Sequence, residues 1–460
     1  METIWTPELP PGPGPLYRTI ADKLAEDIRS ARLAPGSQLP TMRALADQLE
    51  VTVGTVHRAY ALAEQQGLIV RQMGRGSFVR DATASLTGTA ALAPDGTIDL
   101  SRNEPVELPL GPILQRTLAA MAQVSDLDSM LDYGFSQGQP RHREALALWL
   151  KRRGYRIDPD HLIVTNGAQQ ALTIALGALA RAGDTLLVEE LTYPGIKNLA
   201  RLFGLKLRAL PMDDGGLLPD ALAAAAAEPG ARMLYCVPNA HNPTTATLDL
   251  ERRQAIAEIA QRYGLIVIED DLYPRHADAA LPAIAEVAAD HTVYISSLSK
   301  TVAPGLRIGS IAAPPRLLPD LVAVTQATSW MAPPLMAEVA SRWIVDGTVD
   351  ALAGQREHIT RSLHQVAERA LAGLAYRAEP HNTHLWLPLE APWSGREFAA
   401  KAAERKILVS PAEHFAIDQS AVPAAVRICL CNVEERLLED ALGRLAQLAR
   451  GGPGPLEFQM

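Results

Sequence analysis

SSLSKTVAPGLRIG, residues 296–309, decides how this chain is read. It follows Thr292, Val293, Tyr294 and Ile295, an apolar, β-branched run that reads as a buried strand. Lys300 stands just past the strand end, with Ser297 and Ser299 before it and a Pro304-Gly305 turn and Arg307 after it. Such a lysine suits covalent chemistry: its amine can form a Schiff base with an aldehyde while the two serines and the arginine hold a nearby phosphate. An isolated S-x-S-K is ordinarily a solvated lysine on a loop. The functional reading therefore needs matching pieces elsewhere in the chain.

The 460 residues, 48% hydrophobic and 21% charged, are enough for two or three domains with ample core. Cys236, Cys429 and Cys431 lack metal-ligand spacing and cannot form a disulfide framework, which points to a reducing, cytoplasmic setting. The opening METIWTPELPPGPGP has no apolar core of signal-peptide length, and no uninterrupted apolar run is long enough to cross a bilayer. Secretion and membrane insertion are disfavoured. The net charge of −9 argues against a chain coated in nucleic acid along its length.

The charge is unevenly spread. Between Pro15 and Arg80 nine basic residues face six acidic ones. Leu16, Ile20, Leu24 and Ile28 recur at helical spacing and predict a first helix ending near Pro35-Gly36. Thr41 caps a short second helix with Ala44, Leu45 and Leu49, and Thr52 a third whose Val56, Tyr60 and Leu62 face inward. Two β-type runs, Leu68 to Arg71 and Ser77 to Val79, flank a basic glycine-rich tip, Met73-Gly74-Arg75-Gly76. Three helices and such a hairpin make a winged helix-turn-helix. Residues 15–80, through LYRTIADKLAEDIRSARLAPGSQLPTMRALADQL, TVHRAY and GRGSFV, resemble the DNA-binding domain of the GntR family of bacterial regulators. The resemblance implies that Arg43, Thr52, Thr55, His57 and Arg58 meet phosphates or bases of an operator duplex, and that Arg75 enters the minor groove. Thr52 and Thr55 serve equally well as cap residues. Val53 and Gly54 stand where the family often carries an arginine and an asparagine.

Residues 81–97, DATASLTGTAALAPDGT, are small and polar and read as a flexible linker, its reach on the order of 20 Å as a random coil. From Ile98 to about residue 452 strands and helices alternate, which predicts an α/β body with a mostly parallel sheet and ligands outside the carboxyl ends of its strands. Reactive residues stand at those ends. Asn166-Gly167-Ala168-Gln169 turns from a strand into a helix whose free amides suit a phosphate. Tyr193 follows Thr185 to Val188 and can stack on a planar ring, although such a tyrosine is more often simply packed. Asn242 follows Met233 to Val237 and offers a donor to a phenolate. Glu269-Asp270-Asp271 ends the strand Leu265 to Ile268, where three carboxylates repel one another and call for a cation; Tyr273 lies three residues beyond Asp270. A phosphate cradle, a stacking ring, an amide, a carboxylate and a lysine together describe a pyridoxal 5'-phosphate site.

This body resembles the fold type I aminotransferases over most of Ile98 to about Arg450. The resemblance implies that Lys300 carries the cofactor, Asp270 holds its pyridine nitrogen protonated, Asn242 and Tyr273 meet its ring oxygen and Tyr193 stacks on it. It assigns phosphate to Ala168, Gln169, Ser297, Ser299 and Arg307, an α-carboxylate to Arg427, and to Tyr133 a role at the neighbouring subunit's phosphate. Thr245, Asn166 and Leu272 depart from the family pattern. A GntR-type head on such a body resembles the MocR subfamily. That implies a homodimeric regulator, heads exchanged between subunits, that binds double-stranded operator DNA and senses pyridoxal phosphate or a small amino compound. The alternative is a working aminotransferase with a regulatory head.

Overall fold

The computed structural model describes residues 5–7, 9, 14–30, 32–33, 37–65, 68–72, 76–79, 96–123, 127–273, 281–431 and 433–452. The chain divides into two compact units, Met1–Thr87 and Gly88–Met460. Among the described residues no helix is long and apolar enough to cross a membrane.

In the first unit, helices Leu16–Arg29, Met42–Gln48 and Val53–Gln65 precede an antiparallel hairpin of Ile69–Gln72 and Gly76–Val79, paired Ile69 to Val79. Apolar residues at helical spacing close the core: Ile20 and Leu24, Leu45, then Val56 and Tyr60, with Ile69 and Val79 of the hairpin. The Thr41 hydroxyl accepts from the Ala44 amide at 3.2 Å and so starts the second helix. Three of the apolar positions named from the sequence lie outside this core. Leu16 is exposed, because the packed face begins at Ile20; Ala44 is exposed, because Leu45 and Ala46 are the buried residues of the second helix; and Leu62 is half-buried, because Ala59 and Ala63 form the contact face of the third. The wing tip around Arg75 and linker residues 81–95 lie outside the described residues.

The second unit is built on seven strands in the order Leu162–Thr165, Gly309–Ala312, Thr292–Ser297, Ile266–Asp270, Ala231–Cys236, Thr185–Glu189 and Lys206–Leu210. All neighbours run parallel except Gly309–Ala312, which is antiparallel to both strands beside it. Leu162–Thr165, Gly309–Ala312 and Thr292–Ser297 are buried along their whole length, and Ile266–Asp270, Ala231–Cys236 and Thr185–Glu189 over all but their first one or two residues, as strands covered on both faces require. Helices Ala168–Leu179 and Leu318–Thr328 pack in one apolar layer with Ile163, Val188, Val293 and Ile311. Leu250–Tyr263 lies in another with Leu187, Leu234 and Val267. Helix Thr348–Ala370 leads to a smaller antiparallel sheet in the order Arg377–Ala378, His384–Pro388, Ala425–Cys429, Ser410–Pro411. Ile98–Asp99, the first strand of the unit, pairs in parallel with Ile407–Leu408 beside that sheet.

Candidate functional site

The carboxyl ends of the parallel strands open onto a cavity of about 450 Å³. Lys300, Asp270, Asn242, Tyr273, Tyr193 and Arg427 line it, and so do Ala168, Gln169, Ser297, Ser299 and Arg307. Every body residue singled out from the sequence except Tyr133 thus meets in one place.

The acidic triplet at the end of Ile266–Asp270 needs no shared cation, because strand alternation separates its members. Glu269 accepts from the Ile284 and Ala285 amides at 3.1 and 2.9 Å. Asp271 accepts from Asn239 Nδ2 at 3.0 Å and the Tyr294 hydroxyl at 2.7 Å. Asp270 alone faces the cavity. Its Oδ2 accepts from the Tyr235 hydroxyl at 2.8 Å, while its buried Oδ1 has no hydrogen-bond partner. Burial pushes the Asp270 carboxyl up to about 7, with Asp271 and Glu189 adding to the rise and the Tyr235 hydroxyl opposing it. A dry carboxylate with one orphaned oxygen is an arrangement that a protonated ring nitrogen would complete. Sequence reading missed Tyr235, which sits in the run Ala231–Cys236 and reaches Asp270 with its hydroxyl.

The other end is a cradle of backbone and small side chains. Gly167 precedes helix Ala168–Leu179 with φ of 78°, a left-handed conformation that glycine adopts freely. A Cβ there would stand 2.6 Å from Arg307 Nη2. Arg307 is itself left-handed, with φ of 52°, and its guanidinium donates to the Asn166 carbonyl at 3.2 Å. Ser297 Oγ takes the Ser299 amide at 3.1 Å and lies 3.0 Å from Ser299 Oγ. A helix N-terminus, two hydroxyls and a guanidinium converge where an anion is favoured. Gly167→Ala is expected to cost about 1–3 kcal/mol of stability, from the left-handed backbone and the displaced arginine. A denaturant midpoint lowered without a change in slope would show it.

Between these ends Lys300 Nζ donates to the Asn103 carbonyl. Burial, reinforced by Arg427, holds the Lys300 amine below the usual lysine range, which favours the neutral nucleophile. Tyr193 lies over the Gly195 backbone, where a Cβ would meet its ring at 2.1 Å, and its hydroxyl donates to Gln169 Oε1 at 3.1 Å. Tyr273 reaches the cavity despite Leu272 before it, and its hydroxyl accepts from Asn103 Nδ2 at 2.6 Å. Arg427 is buried on strand Ala425–Cys429, stacks over Phe415 at 4.9 Å and donates to Asn242 Oδ1 at 2.7 Å and the Ser101 carbonyl at 2.6 Å. Its Nε has no hydrogen-bond partner.

Tyr133 lies elsewhere. It is 83% exposed and packs on Trp330 at 5.3 Å between ring centres, with Leu131 and Phe135, 81% and 68% exposed, beside it. In the first unit, Thr52 Oγ1 accepts from the Thr55 amide at 3.3 Å and lies 2.9 Å from Thr55 Oγ1, so both hydroxyls serve the start of helix Val53–Gln65. His57 and Arg58 on that helix, and Arg43 on the helix before it, are exposed. Arg75 is outside the described residues. If Arg58 meets a phosphate, Arg58→Ala will weaken duplex binding nearly uniformly across sequences and reduce the slope of log K against log salt by about 1.

Fold and site together define a winged helix-turn-helix regulator fused to an aminotransferase-like body. Residues 95–445 match the aminotransferase class I and II family, and residues 16–79 match bacterial regulatory proteins of the gntR family. The chain therefore belongs to the aminotransferase class I and II family and carries a GntR-type head of the DNA-binding class. It is 31% identical to an uncharacterised HTH-type transcriptional regulator, YdeF, of Bacillus subtilis, over 93% of this chain and 92% of that relative. It is 26% identical to a probable rhizopine catabolism regulatory protein, MocR, of Rhizobium meliloti, over 84% and 82%. The kynurenine aminotransferase of Pyrococcus horikoshii, solved with PMP, shares its fold at a TM-score of 0.72 and 22% identity, covering 85% of this chain and 99% of that one.

Proposed function

We propose that this regulator is a homodimer that holds pyridoxal 5'-phosphate on Lys300 and changes its grip on operator DNA when the body meets the cofactor or a small amino compound. The observation that carries this reading is the orphaned, buried Asp270 Oδ1 in the same cavity as the Lys300 amine. When bound, the cofactor would supply an aldehyde for amines and an electron-withdrawing ring. Asp270 would keep the ring nitrogen protonated, Tyr193 would stack on the ring, and Asn242 and Tyr273 would meet its oxygen. Ala168, Gln169, Ser297, Ser299 and Arg307 would hold the phosphate, and the Arg427 fork would take an effector carboxylate. The exposed Leu131, Tyr133 and Phe135 support a second copy of the chain on this face, with Tyr133 offered to its phosphate. A two-fold dimer of heads, residues 15–80 in each chain, would read paired half-sites.

Reduction of the purified full-length protein with borohydride after cofactor addition, followed by peptide mapping, tests the reading. Labelling of Lys300 supports it. A protein that takes up no cofactor, or labelling of another side chain, overturns it.

The presence of Lys300, Asp270 and Arg427 in one cavity also favours a second reading, a working aminotransferase. Sustained turnover of an amino acid with a keto acid, on the order of 1 per second or faster, would establish the enzyme. A spectral change that stops after one equivalent would favour the sensor.

A further inference from the structure

The chain that leaves the linker does not run over the surface of the body; it enters the cavity at once. Ile98 and Leu100 donate their amides to the Lys406 and Leu408 carbonyls at 2.8 and 2.9 Å, and the Leu100 carbonyl accepts from the Cys429 amide at 2.8 Å. The next residues, Ser101 to Pro105, line the cavity. Two backbone carbonyls of this strap are held by groups that face the ligand. Ser101 accepts from Arg427 Nη2 at 2.6 Å and from Ser410 Oγ at 3.0 Å, and Asn103 accepts from Lys300 Nζ. The Asn103 side chain is pinned as well, Nδ2 to the Tyr273 hydroxyl at 2.6 Å and Oδ1 to Thr383 Oγ1 at 2.6 Å. Arg356 closes the far end, donating to the Val106 carbonyl and, at 2.7 Å, to the Val302 carbonyl two residues past Lys300.

We propose that the strap Ile98–Val106 is the element through which the occupied cavity acts on the linker, read at Ser101 by Arg427 and at Asn103 by Lys300. The proposal rests on the cofactor-binding reading above. A Lys300 that held the cofactor would have its nitrogen withdrawn from the Asn103 carbonyl, with the Arg427 fork left on Ser101. A Lys300 released by an effector amine would donate to Asn103 again, as it does in this structure. An effector carboxylate would draw the guanidinium away from Ser101. The hold on the strap thus moves from Ser101 to Asn103, and the Ile98–Leu100 pairing next to Ser101 loosens. Because Ile98 directly follows the linker, the two states present the head with two different anchorages, which is the differential that a ligand needs in order to shift an equilibrium.

The test uses the full-length, cofactor-loaded protein and a panel of amino acids, scored by the absorbance change of the bound cofactor. With an amino acid that changes the spectrum, amide exchange at Ile98 and Leu100 is expected to accelerate at least tenfold. A Gly-Gly insertion after Gly96 slackens the connection without touching the cavity. It is expected to keep the spectral response while the change in operator affinity, at least fivefold in the parent, falls below twofold. Exchange at Ile98 and Leu100 that stays within twofold, or an inserted chain that keeps the parent's DNA response, overturns the proposal while the cofactor reading stands. A parent protein whose spectrum no amino acid alters overturns the proposal as well, and leaves the cofactor reading to the borohydride test.

Discussion

Lys300→Ala is expected to abolish covalent retention of pyridoxal phosphate and, with it, every response of operator binding to cofactor or amine. Lys300 carries the only primary amine among the described residues that line the cavity, so no neighbour can replace it. The loss should be all or none in borohydride labelling. In titrations of operator DNA, wild-type affinity should depend on added cofactor, and that of the variant should be the same with and without it. The substitution removes an amine that burial already disfavours in its charged form, so the fold should survive. Persistent labelling in the variant, or an unchanged ligand response on DNA, would refute the assignment of Lys300.

Asp270→Asn should produce the second large effect, in two separate measurements. An amide cannot neutralise a protonated ring nitrogen, and a buried charge that loses its partner costs about 3–5 kcal/mol, so cofactor affinity should fall about 100-fold or more. The second measurement is stability of the cofactor-free protein against pH. Burial raises the Asp270 carboxyl in the folded state to about 7, so folding favours its neutral form. The resulting stability is fully present below the ordinary aspartate value near pH 4 and is lost as pH rises through about 7, on the order of 1–4 kcal/mol across that window. The asparagine variant lacks this loss. Some pH dependence will remain, because burial also raises Glu269 to about 7. Cofactor should flatten the wild-type curve, since a cation beside Asp270 restores its charged form. A wild-type curve that matches the variant's between pH 5 and 8 would remove the basis of this account.

The site was legible because its residues stand at the ends of apolar runs, where parallel strands bring distant segments to one edge. Lys300, Asp270, Asn242 and Tyr193 each follow such a run within a few positions, and the cavity unites them. Two kinds of residue escaped. Tyr235 is buried within a strand, and its role appears only because Ile268, two residues before Asp270, lies opposite it in the neighbouring strand. Asn103 sits in the polar stretch Ser101-Arg102-Asn103-Glu104, which reads as an ordinary loop; its partners Tyr273 and Thr383 lie 170 and 280 positions away. From sequence alone the acidic triplet Glu269-Asp270-Asp271 reads as one cluster in need of a cation. Alternation along the strand divides it between two faces, with hydrogen bonds to backbone amides, Asn239 and Tyr294 supporting the members that do not face the cavity. In the head, the capping threonines were found from sequence because a cap is a local device, whereas the exposure of Leu16 follows from packing across the three helices.

The antiparallel strand Gly309–Ala312 carries a consequence for biosynthesis. It inserts between the lysine strand and Leu162–Thr165, and in doing so sets Arg307 over Gly167. The contact between Arg307 and Gly167 therefore cannot exist until the ribosome has delivered both of its halves, and contacts so distant along the chain form slowly. The head, residues 15–80 of the first unit Met1–Thr87, leaves the ribosome long before. Each newly made molecule would then pass through a period in which the head is out of the ribosome while the cavity of the body still lacks one of its walls.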